Sequence, residues 1–289
     1  MTAAPAVIAV DAGADAAPRE FVTVDWNGRS DRIEYQRISA ERRDAPLLVF
    51  LHEGLGSITM WRDFPRQLCE AAGCRGLVFS RWGYGASSPR GGHERWPVDF
   101  MHHQAQDFLP AFFAALGIDT RQDRPWLYGH SDGASIALLH AAACPAHVAG
   151  VIVAAPHIVV EDMTIRSIEQ ARDGYVTTSL RSKLARYHDD PDSAFWGWND
   201  VWLDPAFRAW NIQGSLPGIQ CPILAVQGHD DEYGTMAQIE GIAAAVPHCE
   251  LLKLADCGHS PHRDQPSAVI LATTEFLRRH RTVHNPTLA

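Results

Sequence analysis

The segment Gly129-His130-Ser131-Asp132-Gly133 contains the residue types that nucleophilic catalysis requires. It follows a strand-like run that ends at Tyr128 and precedes the apolar stretch 134–143, which is the context of a G-x-S-x-G strand-to-helix turn. Glycine on both sides of the serine removes side chains that would clash, so we expect Ser131 to stand at the apex of the turn. The backbone N–H of Asp132, in the first helical turn, would point towards a negative oxygen formed there.

A serine hydroxyl is a poor nucleophile at neutral pH and needs a base and an orienting acid. Asp230 and Asp231 follow the apolar run 222–227, and His259 follows the apolar run 250–254. Histidine has a pKa suited to a general base at neutral pH. The order serine, acid, histidine, with each residue after a predicted strand, favours a hydrolytic triad. Either aspartate could supply the acid.

With two earlier turns, these motifs resemble the α/β-hydrolase superfamily from about Phe21 to the last helix. The earlier turns are His52-Glu53-Gly54-Leu55-Gly56-Ser57 and Ser80-Arg81-Trp82-Gly83-Tyr84-Gly85, each after a predicted strand. The resemblance implies an α/β fold: a mostly parallel sheet with helices on both faces and a helical cap insertion. It also implies that Ser131 is the nucleophile and His259 the base, and its Gly-x-x-Asp spacing selects Asp231 as the acid.

The loop after the predicted strand 47–51 departs from the family pattern, which normally begins His-Gly. The resemblance implies that Gly54 and Asp132 supply the two N–H groups of an oxyanion hole, and Glu53 stands where glycine is common. A carboxylate there would oppose the developing negative charge unless it were paired. We expect a structural ion pair between Glu53 and Arg81, because the acid that the family often has at the place of Ser80 is missing. A catalytic role for Glu53 is the alternative.

Hydrophobic patterns predict the elements that must position these residues. The turn dipeptide Asn27-Gly28 predicts an antiparallel hairpin of 21–26 and 32–38. Apolar runs then alternate with helical stretches, which indicates a mostly parallel sheet covered on both faces. The predicted strands are 47–51, 76–79, 126–128, 148–154, 222–227 and 250–254, and the predicted closing helix is 266–279.

The segment Ile158–Ile219 is predicted to be a cap, or lid, that interrupts a core formed by residues 21–157 and 220–289. The resemblance places such an insertion over the active site, so its tryptophans are candidate substrate contacts. Most aromatic rings in such an insertion only pack it onto the core, and we expect one or two to touch substrate. The candidates are Trp196, Trp198, Trp202 and Trp210.

Composition indicates a globular enzyme with a small-molecule substrate. The chain has 289 residues, 46% of them hydrophobic, which is enough for a large core. A net charge of −9 argues against nucleic acid or an anionic membrane as partner. Residues 1–20 are rich in alanine and proline and lack a basic region, so we expect a disordered tail and no signal peptide. The six cysteines show no zinc-binding spacing, so we expect free thiols, no metal and a cytoplasmic location.

These residues predict a serine hydrolase that cleaves a small to medium carboxylic ester, or a related acyl compound, through an acyl-enzyme intermediate and without a cofactor. Serine at position 131, rather than aspartate, argues against epoxide hydrolase and haloalkane dehalogenase chemistry. Three alternatives are open: a C–C bond hydrolase of ring-cleavage products, a cofactor-free haloperoxidase, and a ligand-binding receptor with poor turnover. The glycine-rich loop that is usual in the first of these is missing at 52–56. The sequence leaves the acyl class and a homodimer open.

Overall fold

The computed structural model describes residues 19–92 and 94–281. An eight-stranded sheet lies at its centre, in the order β1-β2-β4-β3-β5-β6-β7-β8. Strand β2 pairs antiparallel with β1 and β4, and the other pairs are parallel. The strands are β1 (Glu20–Trp26), β2 (Arg29–Ile38), β3 (Leu47–Leu51), β4 (Arg75–Phe79), β5 (Trp126–His130), β6 (Gly150–Ala154), β7 (Ile223–Gly228) and β8 (Cys249–Leu254).

The burial of the strands follows their place in the sheet. Strands β3, β5, β6 and β7 are buried along their whole length, because helices cover both faces of a parallel sheet. The edge strand β1 alternates between more and less exposed residues. Its hairpin to β2 turns at Asn27 and Gly28, whose φ angles of 46° and 74° suit a two-residue turn of type I′. Of the predicted tail, residues 1–18 lie outside the described residues, whereas Glu20 already belongs to β1.

Helices cover the two faces of the sheet. On one face α1 and α11 pack through residues such as Leu68 and Phe276, and on the other α3, α5 and α9 pack through residues such as Phe112, Leu138 and Ile239. The helices are α1 (Phe64–Ala72), α2 (Phe100–His103), α3 (Leu109–Ala115), α4 (Thr120–Asp123), α5 (Asp132–Ala143), α6 (Asp162–Thr177), α7 (Leu180–Leu184), α8 (Pro191–Trp202), α9 (Ala237–Ala245), α10 (Pro261–Asp264) and α11 (Pro266–His280).

Helices α6, α7 and α8 lie between β6 and β7, within the segment predicted to be a cap. Helix α6 is hydrogen-bonded to the loop that follows β7. The hydroxyls of Thr164 and Ser167 donate hydrogen bonds to the carbonyl oxygens of Tyr233 and Glu232, respectively. The first helix of the predicted cap is therefore hydrogen-bonded to the loop that carries Asp231.

A second attachment joins the cap to the loops after β3 and β4 through His188. Its Nδ1 accepts a hydrogen bond from the backbone N–H of Gly85 at 3.0 Å, and its Nε2 donates to the carbonyl oxygen of Leu55 at 3.0 Å. Both bonds require the neutral ring, and burial lowers the pKa of His188. The predicted cap is thus hydrogen-bonded both to the loop that carries Asp231 and to the loops after β3 and β4.

No helix in the described part of the chain is long and apolar enough to cross a membrane. All six cysteines are free thiols, and Cys69, Cys74, Cys221 and Cys257 are buried. Burial raises the pKa of the Cys257 thiol to about 11, with nearby acids adding to the shift. This cysteine, two residues before His259, is therefore protonated at neutral pH.

Candidate active site

Ser131 lies at the strained turn between β5 and α5. Its φ and ψ of 52° and −119° are rare for a residue with a side chain. A Cβ on Gly129 would lie 2.5 Å from the Cα of Ala134, and one on Gly133 would lie 2.6 Å from the carbonyl oxygen of His52. Only glycine fits at these two positions, so the sequence spacing and the sharp turn have one steric cause.

The structure brings Ser131, His259 and Asp231 together at the carboxyl ends of three strands. The Oγ of Ser131 lies 2.9 Å from the Nε2 of His259. The Nδ1 of His259 lies 2.8 Å and 2.9 Å from the two carboxylate oxygens of Asp231. This is the geometry by which a serine can pass its proton to an imidazole that a carboxylate orients.

Asp231 is held in place by three further donors. Its Oδ1 accepts the backbone N–H groups of Tyr233 and Gly234 at 2.8 Å and 3.2 Å, and its Oδ2 accepts the side-chain amide of Gln227 at 2.7 Å. Asp230 is exposed, whereas Asp231 is buried. The structure therefore places the second aspartate of the pair, and not the first, beside His259.

The acid and the base shift each other's pKa. Burial raises the pKa of Asp231, but the charge and hydrogen bond of His259 outweigh it, so the net shift is downward. Burial lowers the pKa of His259, but the charge and hydrogen bond of Asp231, with smaller contributions from Glu232 and Glu53, raise it above the usual value. Asp231 is thus ionised at neutral pH and stabilises the protonated imidazole.

The loop after β3, which carries Gly54, is fixed through one carbonyl group, that of Glu53. This oxygen accepts hydrogen bonds from the Nδ1 of His52 at 2.7 Å, from Nη2 of Arg81 at 2.9 Å and from the backbone N–H of Gly56 at 3.1 Å. In a trans peptide the N–H points opposite to the C=O. The three bonds therefore also fix the direction of the Gly54 N–H, one of the two expected oxyanion donors.

The expected ion pair between the Glu53 carboxylate and Arg81 is not formed. Nη2 of Arg81 is used by the Glu53 carbonyl and lies 3.7 Å from Oδ2 of Asp132 instead. The Glu53 carboxylate folds over Gly56, where an added Cβ would lie 2.5 Å from its Oε2, and its partner is the Nδ1 of His130 at 3.3 Å. The turn at 53–56 directs the side chain towards the serine loop, which spacing along the chain does not reveal.

His130 connects Glu53 to the base. Its Nε2 lies 2.6 Å from the backbone carbonyl oxygen of His259 and must donate to it, because a carbonyl only accepts. Burial raises the pKa of Glu53, but the hydrogen bond and charge of His130 lower it well below its usual range. Glu53 is therefore ionised at neutral pH.

Asp132, the other expected oxyanion donor, is the first residue of α5, so its N–H has no partner within the helix. Its side chain is fully buried and accepts a hydrogen bond from the indole Nε1 of Trp202 at 3.2 Å. Burial raises the pKa of Asp132, although Arg81 and Trp202 oppose the shift. Arg81 thus touches both loops that carry the expected oxyanion donors.

Two of the four candidate tryptophans reach these residues, and both are on α8. Trp202 bonds to Asp132, and the indole of Trp198, one helical turn away, covers Gly54 so closely that a Cβ there would overlap its Nε1 and Cδ1. The other two pack inside the cap. Trp196 lies 5.5 Å from the ring of Tyr175, and Trp210 is stacked on Phe207 at 5.4 Å.

Sequence reasoning missed two residues near this site. His157 follows β6, and its ring lies 5.7 Å from that of His259. Its position just beyond the carboxyl end of a strand was the available signal. Glu34, on β2, supplies the carboxylate missing at the place of Ser80, whose Oγ donates to its Oε1 at 2.5 Å. Only the pairing of β2 with β4 brings them together, and no local pattern predicts it.

Comparison with protein families settles the class of this fold. Residues 48–273 match the model of the alpha/beta hydrolase family. The chain belongs to this family. The comparison with curated proteins finds no match.

Several solved structures are similar over nearly the whole chain. An esterase from Thermogutta terrifontis has 18% sequence identity and a TM-score of 0.67, over 92% of this chain and 100% of that one. A structure from a study of Nitrososphaera gargenis carboxylesterases has 18% identity and a TM-score of 0.71, over 89% and 98%. The enol-lactonase of Burkholderia xenovorans LB400 has 20% identity and a TM-score of 0.68, over 89% and 99%. At these identities the likeness concerns the fold.

Proposed function

We propose that this alpha/beta hydrolase is a serine esterase that cleaves a small to medium carboxylic ester, or a related acyl compound, through an acyl-enzyme. The observation that carries the proposal is the continuous chain of contacts from the Ser131 hydroxyl through His259 to Asp231, with distances of 2.9 Å and 2.8 Å. The esterases and the enol-lactonase among the similar structures support the same reaction class.

In the proposed mechanism, Ser131 attacks the scissile carbonyl carbon while His259 accepts its proton. The N–H groups of Gly54 and Asp132 bind the oxyanion of the tetrahedral intermediate. His259 then protonates the departing alcohol, and the acyl group remains on Ser131. Water, deprotonated by His259, attacks the acyl-enzyme and releases the carboxylic acid. Asp231 stays ionised throughout and stabilises the imidazolium.

A burst assay with a short-chain aryl ester tests the proposal, with labelling by a serine-directed phosphonate in parallel. The native protein should release up to one equivalent of phenol per site in a rapid phase, provided that deacylation is the slower step, and should bind one equivalent of phosphonate. Ser131→Ala should do neither, because the nucleophile is gone. Circular dichroism should be the same for both proteins.

Labelling that persists in Ser131→Ala would place the reactive residue elsewhere. Labelling without turnover of any ester would instead favour the receptor-like alternative. If the native protein is not labelled at all, the assignment of Ser131 as nucleophile fails.

A further inference from the structure

His157 is a buried imidazole that lies next to His259, the proposed base. Its backbone is hydrogen-bonded to Ser135, which lies one turn beyond Ser131 on α5. The Ser135 hydroxyl donates to the His157 carbonyl oxygen at 2.6 Å, and the His157 N–H lies 3.2 Å from the same hydroxyl. The ring lies 5.0 Å from Trp202 and 5.7 Å from His259, and the residue is 2% exposed. The side chain is therefore fixed between the base and the cap.

The ring of His157 lacks the hydrogen bonds that its neighbours make. Its Nδ1 is buried without a partner, and no described residue bonds to its Nε2. His52, His130 and His188 have both ring nitrogens hydrogen-bonded. Leaving a buried polar group unpaired is costly, so an unpaired ring at this place is suited to a group that arrives with the substrate.

His262 is the other buried imidazole of this region whose Nδ1 is unpaired. Its ring packs against the rings of Trp61 and Phe64, at 4.7 Å and 5.4 Å. Its ring also lies 4.8 Å from that of His130, and Trp61 and Phe64 belong to the apolar cluster that packs α1 and α11 on the sheet. His157, in contrast, borders both the base and the cap helix α8.

The charge state of His157 limits which substrate groups can form hydrogen bonds with its ring. Burial, with a smaller effect from the charge of His259, lowers the pKa of His157 to about 3. A neutral imidazole offers one N–H donor and one acceptor. Its complement is an oxygen that accepts from the N–H, or a hydroxyl that donates to the other ring nitrogen, whereas an alkyl chain would leave the ring unpaired.

We propose that His157 binds a hydroxyl or second carbonyl oxygen close to the scissile carbonyl, so that the substrates are hydroxy- or oxo-substituted esters or lactones rather than plain alkyl esters. This proposal rests on the proposed function. A site built to hydrogen-bond an oxygen of the substrate discriminates against analogues that lack it, because its own polar group is then left unpaired. His157 is thus a specificity-determining residue.

The test compares esters that differ only in that oxygen. Ethyl butanoate, ethyl 3-hydroxybutanoate, ethyl 3-oxobutanoate and 2-hydroxyethyl butanoate are hydrolysed by the native protein, by His157→Phe and by His157→Gln, and acid release is titrated. The native protein should prefer at least one oxygen-bearing ester by about tenfold to a hundredfold in kcat/KM. His157→Phe, which keeps a ring but no nitrogen, should lose that preference. His157→Gln, which keeps a donor and an acceptor, should retain part of it.

Two results would overturn the role of His157: no preference in the native protein, or an equal loss on all four esters in His157→Phe. The equal loss would assign the residue to a step common to all substrates, such as holding the hydrolytic water. In both cases phosphonate labelling of Ser131 would remain, and the proposed function would stand. If the native protein is not labelled, the proposed function itself fails.

Discussion

Asp230 and Asp231 are neighbours in the chain but differ in their surroundings. Asp231 is buried and bonded to His259, whereas Asp230 is exposed. We expect Asp231→Asn to lower kcat by roughly 10³- to 10⁴-fold, because the amide favours the wrong tautomer of the base. Asp230→Asn, the matched control, should stay within about twofold, since exposed substitutions rarely matter. Steady-state kinetics of an aryl ester measures both, and equal effects would remove Asp231 from its proposed role.

The Glu53 carboxylate predicts an effect on the pH dependence of catalysis. In the proposed mechanism deprotonated His259 is the active base. Its pKa lies above the usual value, so kcat/KM should fall with decreasing pH through a midpoint above 6.5. The Glu53 carboxylate favours the protonated form of His259. Glu53→Gln removes that charge, so the midpoint should move to lower pH.

Asp230→Asn serves again as the control for Glu53→Gln, because it removes a carboxylate that is exposed to solvent. Its pH profile should match that of the native protein. A midpoint for Glu53→Gln that stays in place or rises would show that Glu53 does not act on the base electrostatically.

The sequence predicted the residues of the candidate site better than their partners. Ser131, Asp231 and His259 each follow a strand of the parallel sheet, and the carboxyl ends of such strands meet at one edge, so type and position were enough to group them. The partner of Glu53 depended on the direction of one side chain in the turn 53–56. That direction is set by contacts across the sheet, about which local spacing carries no information.

At the scale of elements, helix α8 of the predicted cap is hydrogen-bonded through Trp202 to α5, the helix that begins after Ser131. Trp202→Phe keeps most of the ring but removes the donor to the buried Asp132, which should cost about 1–3 kcal/mol of stability. We also expect kcat to fall about tenfold, because the start of α5 would be less firmly held. Urea unfolding and ester kinetics measure the two effects.

Trp196→Phe provides a control on the same helix. Trp196 is partly exposed and packs on Tyr175 and Phe195 inside the cap. Its replacement should change kcat by less than about twofold. If Trp196→Phe and Trp202→Phe lower kcat equally, the effect comes from general loosening of α8 and not from the bond to Asp132.

The elements themselves were predictable to within a few residues where the pattern was strong. Strands β3, β5, β6 and β7 are mostly apolar, and the Asn27-Gly28 turn fixes the first hairpin. The helical stretch 100–115 is less regular. A π-helical turn, Gln104–Phe108, joins α2 to α3 just before Pro110, whose missing N–H interrupts the usual hydrogen bonds. Such a local adjustment depends on packing that periodicity does not report.

At the scale of the whole molecule, several buried histidines make stability depend on pH. The pKa values of five buried residues are lowered, while the unfolded chain binds protons near pH 6.5. Stability should therefore be full above that pH and fall as the pH drops below it. For His157, whose pKa in the folded protein is about 3, the loss between pH 7.5 and 5.5 is about 1 kcal/mol. The five are His52, His140, His157, His188 and His262.

His259 opposes this trend, because its raised pKa contributes stability at low pH that is lost as the pH rises. Urea midpoints at pH 8.0, 6.5 and 5.5 measure the balance. His188→Gln should be less stable at pH 8.0 but lose less on acidification than the native protein. A midpoint that does not change between pH 8.0 and 5.5 would contradict the prediction.

The attachment of α6 to the loop at 232–233 has a consequence for modular exchange of caps among relatives. A chimera that replaces all of 158–219 would also delete the hydroxyls of Thr164 and Ser167, which support the loop next to Asp231. Transplanting only the part after Thr177, where α6 ends, would leave this support intact. The exchangeable part of the predicted cap is therefore smaller than the segment 158–219, because α6 must stay with the loop that it supports.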